Sequence, residues 1–108
     1  MAAATSITSR RGNDQFRGLF SDTWLVKATL DAGSLVDGAG ETDTVAVPGV
    51  ALGDMVIGCS FSVSEVGMSI TAYVDSTGSV SIRIQNESGS TVDLASCTIR
   101  LVIARCVV

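Results

Sequence analysis

Three kinds of residue in this chain could do chemistry: carboxylates in a glycine-rich stretch, a single lysine and three cysteines. Asp37, Glu41 and Asp43 surround Gly38 and Gly40. Hard cations favour such carboxylates, but the Asp-x-Asp-x-Asp-Gly spacing of a calcium loop is missing, so a solvated loop is expected. Gly38-Ala39-Gly40 has no third glycine and no strand–helix context, which excludes a phosphate cradle. Lys27 has no serine motif beside it that would make a Ser–Lys nucleophile. The absence of histidine from the chain removes the usual triads, Cys–His pairs and imidazole metal ligands. The expectation is a non-enzymatic protein with no catalytic residue, no cofactor and no metal.

Cys59, Cys97 and Cys106 form an odd set with no CxxC pair, which is neither a disulfide framework nor a zinc site. Cys59 and Cys97 alternate with apolar neighbours and read as small buried hydrophobes, which fits a reducing compartment. Cys106 falls outside that register. Asn86-Glu87-Ser88 has the form of a glycosylation acceptor but sits where a turn is expected. Trp24 and Tyr73 could stack on a sugar, although an outward tyrosine on a strand more often packs across strands.

The elements that must position these residues are short strands. With 108 residues the chain is one domain, large enough to build a core without staples. Trp24–Leu30 alternates and is expected to be the first strand, with Trp24, Val26, Ala28 and Leu30 on one face. Asp43–Val47 is stopped by Pro48-Gly49, since proline donates no ladder hydrogen bond. Met55–Ser62 follows, with Met55, Ile57, Cys59 and Phe61 expected inward. Ser69–Asp75 and Ser79–Gln85 alternate about a Ser76-Thr77-Gly78 hairpin loop. Cys97–Arg105 has Ile99, Leu101 and Ile103 on one face, while Val102 and Ala104 make the other face apolar, as in a central or interface strand. No amphipathic helix is evident. The pattern predicts an all-β chain: an antiparallel β-sandwich or jelly-roll-like barrel of six to eight short strands.

Residues 1–23 show neither strand nor helix period and read as an extended N-terminal arm; residues 24–108 form the body. Charge divides in the same way. Residues 1–30 carry a net +2, and residues 31–108 a net −6. An acidic body argues against nucleic acid as a partner. No apolar run reaches the roughly 18 residues of a membrane span, so no membrane is expected, and the first residues lack the apolar core of a secretory signal.

Thr44-Val-Ala-Val-Pro-Gly-Val-Ala-Leu-Gly-Asp54, Ala72-Tyr-Val74, Ser79-Val-Ser-Ile-Arg-Ile-Gln-Asn86, Val92-Asp93 and Thr98-Ile-Arg100 together resemble small virion proteins of tailed bacteriophages, of the capsid decoration (cement) or head-fibre type. The resemblance covers residues 24–105 and rests on turns and alternating strands. It implies a structural protein made in the bacterial cytoplasm that binds the outer surface of a capsid and stabilises it. The partners implied are the major capsid protein and further copies of the chain, as a dimer or trimer. The alternative is a head- or tail-fibre module that binds a receptor or glycan. The expected contact residues are Arg10, Arg11, Phe16, Arg17, Leu19 and Phe20 in the arm, and Val102 and Ala104 on the last strand, with Val107-Val108 beside them. Arginine would position the arm against carboxylates, and buried phenylalanine would supply affinity.

Overall fold

A computed structural model of the chain describes residues 2–11 and 19–108, with residues 2–5 and 9–11 given by their backbone alone. The described residues form strands and turns without a helix: β1 (Ala2–Arg11), β2 (Phe20–Leu30), β3 (Ser34–Leu35), β4 (Gly40–Ala46), β5 (Met55–Phe61), β6 (Met68–Ser76), β7 (Ser79–Asn86), β8 (Val92–Asp93) and β9 (Cys97–Cys106). Seven of them make one sheet in the order β5-β9-β2-β1-β4-β7-β6, and β3 pairs with β8 apart from it. The pairing is antiparallel except where Ala2 and Ala3 run parallel to Val45 and Ala46. From Ala4 onward β1 pairs with β2 instead, so the sheet folds over at β1 into two layers. Its outer strands β5 and β6 then lie close to one another without pairing. The result is an all-β, sandwich-like body about 45 Å long and 23 Å across.

The core follows the period-2 pattern. Trp24, Val26, Ala28 and Leu30 from β2, and Ile99, Leu101 and Ile103 from β9, meet Val45 from β4 and Val80, Ile82 and Ile84 from β7. The large aliphatic side chains among these are completely buried, each contributing about 1.5–3 kcal/mol. Cys97 is buried, and Cys59 is half-buried against the core with its thiol pushed up to about 11, chiefly by burial; both behave as hydrophobes.

Three expectations change. The first strand is Ala2–Arg11, not Trp24–Leu30, and it pairs back along β2: Ser6↔Lys27 through Arg11↔Asp22 are in register. β2 needs a second ladder partner, and the threonines and serines of Ala4–Ser9 provide an extended backbone for it. β2 itself starts at Phe20, so it runs across the boundary expected at residues 23 and 24. In β5, Met55 and Ile57 point outward instead of inward. A bulge between Val56 and Gly58 shifts the alternation, and Val56, Cys59 and Phe61 take the inward positions.

Two polar knots hold the ends. At one, Arg105 donates from Nε and Nη2 to the Asp54 carboxylate at 2.9 and 2.8 Å, and from Nη2 to the Gly49 carbonyl at 2.9 Å. Its guanidinium lies 5.2 Å from the Trp24 ring centroid. Gly49, at φ +100°, places its backbone against the Trp24 indole, where a side chain would be strained. At the other end Asn86 is fully buried. Its amide donates to the Leu35 and Ser90 carbonyls, and its Oδ1 accepts from the Ser88 N–H and hydroxyl. With its amide committed and enclosed, Asn86 is a turn-builder and not a glycosylation acceptor.

Candidate interaction surface

The outward face of β5, β9 and β2 is apolar where a solvated sheet would be polar. Leu25 is 51% exposed, Met55 49% and Ile57 46%, with Val102 half-buried between them. The register explains the grouping, because Leu25↔Val102↔Gly58 forms one rung and Lys27↔Arg100↔Ser60 the next. Gly58 has nothing within 4 Å of where a Cβ would stand, so the face holds a hollow of about 380 Å³ lined by Leu25, Gly58, Cys59, Ser60, Arg100 and Val102.

The expected contact residues divide. Val102 lies on this face. Ala104 is completely buried beneath neighbours in the rung Thr23↔Ala104↔Met55, so it cannot touch a partner. Leu19 is 62% exposed, and its carbonyl accepts the Val107 N–H at 3.1 Å. Phe20 is half-buried opposite Cys106, whose sulfur lies 3.5 Å from the Met55 sulfur. Leu19, Val107 and Val108 are thus exposed apolar residues just beyond the end of the β2–β9 ladder. Arg10 and Arg11 occupy β1 positions opposite Thr23 and Asp22. Phe16 and Arg17 lie outside the described residues. Sequence reasoning named none of Leu25, Met55 and Ile57 as contact residues. Alternation already placed Leu25 outward, whereas Met55 and Ile57 were hidden by the bulge.

The acidic stretch is built differently from a solvated loop. Glu41 and Asp43 lie on the inward side of β4 with Val45, and Glu41 Oε1 accepts the Gly33 N–H at 2.9 Å. Asp43 Oδ2 is buried without a hydrogen-bond partner among the described residues. Burial, and then Glu41 beside it, push the Asp43 carboxyl up to about 7. Among the described residues no group of three His, Cys, Asp or Glu side chains is placed to hold a metal ion.

Thus the feature that marks the surface is the apolar face and its hollow, carried on a rigid acidic body. Comparison with protein-family models, with curated proteins and with solved structures finds no match to this chain.

Proposed function

We propose that this chain is a structural virion protein that binds the outer surface of a phage capsid and stabilises it as a cement protein, working as a closed oligomer. The observation that supports this reading is the one-sided apolar face of β5, β9 and β2, with Leu25, Met55 and Ile57 about half exposed. A contiguous apolar patch on a small domain marks a contact surface. The opposite layer shows Thr42, Thr71 and Arg83 to solvent, so burial of one face leaves a soluble exterior. In this reading the face joins copies of the chain, and the major capsid protein is met by the segment around the β1–β2 connection, with Arg10, Arg11, Phe16, Arg17, Leu19 and Phe20.

Removing residues 1–22 is a poor test, because it takes a paired strand from the sheet together with the start of β2. Charge reversal avoids that. Wild-type protein should co-sediment with undecorated capsids and release at high salt, whereas Arg10→Glu/Arg11→Glu should bind about tenfold or more weakly with an unchanged circular dichroism spectrum. Equal binding by the two proteins would remove the arm from the contact. The fibre-module alternative gains no support from Tyr73, which is exposed but sits in mid-strand on β6 and not in a loop at one end.

A further inference from the structure

The hollow on the apolar face has a distinctive rim. Arg100 is exposed beside it and makes no ion pair among the described residues, and exposed Lys27 stands opposite in register. The hollow is thus an apolar cup with Arg100 on its rim, on a body of net negative charge. Two such cups cannot meet face to face without opposing like charges.

The complement to this cup is at one end of the same molecule. Val36 is 60% exposed and Val66 52% exposed. They flank the turn at residues 86–90: the Gly89 N–H donates to Asp37 Oδ1 at 3.0 Å, and Gly67 lies against Ser88. Asp37, Glu65 and Glu87 are exposed around them. Two valines surrounded by carboxylates form a tip whose polarity is the reverse of the cup's.

Folding alone does not select Val66. The Met68 N–H donates to the Glu65 carbonyl at 3.0 Å, with φ +45° at Val66 and +80° at Gly67, the pattern of a type I′ turn. Its first central position favours Asn, Asp or Gly and is strained for a β-branched residue. Nor does Val66 contribute to the core of its own chain.

We infer that copies of this chain associate head to tail, the Val36/Val66 tip of one protomer seating in the Gly58 hollow of the next. Valine fills the apolar floor, and Glu65 and its neighbouring carboxylates face Arg100. Such a contact is heterologous, and the closed oligomer proposed above requires its rotation to close into a ring. The inference rests on the self-association proposed above and not on the capsid.

Sedimentation velocity on the full chain tests it. Wild-type protein should associate with rising concentration, less so at high salt. Val66→Asn should raise the melting temperature, because asparagine suits the turn, yet weaken association about tenfold or more. Val102→Asp should also abolish association, with Arg100→Glu as a second hollow variant if that protein does not fold. Mixing the tip variant with a hollow variant should yield a one-to-one complex that grows no further, since each supplies the half the other lacks. A monomeric wild-type protein, association untouched by Val66→Asn, or variants that stay monomeric when mixed would each overturn the inference. A chain that associates in this way but ignores capsids keeps the inference and loses the decoration reading.

Discussion

Asp43 is the residue whose ionisation most directly couples to folding. In the folded chain its carboxyl titrates near 7 instead of the usual 3.8, because burial and then Glu41 disfavour the charged form. Between those values the folded chain holds a proton that the unfolded chain has released. Folding therefore takes up a proton, and stability falls as pH rises through that window. Thermal melts from pH 4 to pH 8 should show this decline, and Asp43→Asn should flatten it; an unchanged slope in the variant would assign the decline to another group. Asp54 acts in the opposite sense. The hydrogen bond from Arg105 holds its carboxyl below the ordinary range, so its contribution is present at neutral pH and is lost on acidification. Neither effect was legible in the sequence. Alternation along the expected strand Asp43–Val47 puts Asp43 on the face of Val45, but its burial beside Glu41 shows only in the fold.

At the scale of elements, β2, β6, β7 and β9 were legible because one face of each is apolar at every second residue; Val80, Ile82 and Ile84 are buried as expected, although the alternate residues Ser79 and Ser81 are buried with them. β5 was legible as a strand but not in its facing. A bulge adds one residue without any composition signal stronger than Gly58, and it turns Met55 and Ile57 from core into surface. β1 was missed because Ala2–Arg11 holds only one large apolar residue, Ile7, which leaves no hydrophobic period to detect. Its threonine and serine content was the available signal. Since β1 stands between β2 and β4 in the strand order, deleting residues 1–11 should cost more than the few kcal/mol a small domain can spare, on a total of ~5–15 kcal/mol. Chemical denaturation checks this: loss of the cooperative transition is expected. A truncated chain with the same midpoint would make the segment a separable tether.

For the whole molecule, the sequence reading reached the all-β fold class, and the two last-strand residues it expected at a contact are placed differently. Val102 lies half-buried on the apolar face, whereas Ala104, its neighbour by alternation, is completely buried in the rung with Thr23 and Met55. The tip at Val36 and Val66 depends on three distant turns gathered around Asn86, a tertiary effect that no local pattern encodes. The molecule that results is a sandwich-like body of net negative charge with an apolar patch on one side and β1 laid along β2. The most direct measurement for the proposed cementing role is the abundance of this chain on purified phage virions, taken together with the rupture temperature of particles made without it. A fixed, stoichiometric ratio to the major capsid protein and a lower rupture temperature in its absence are the predicted results. Virions that lack the chain, or that carry only a few copies confined to tail or fibre, would contradict a capsid-cementing role.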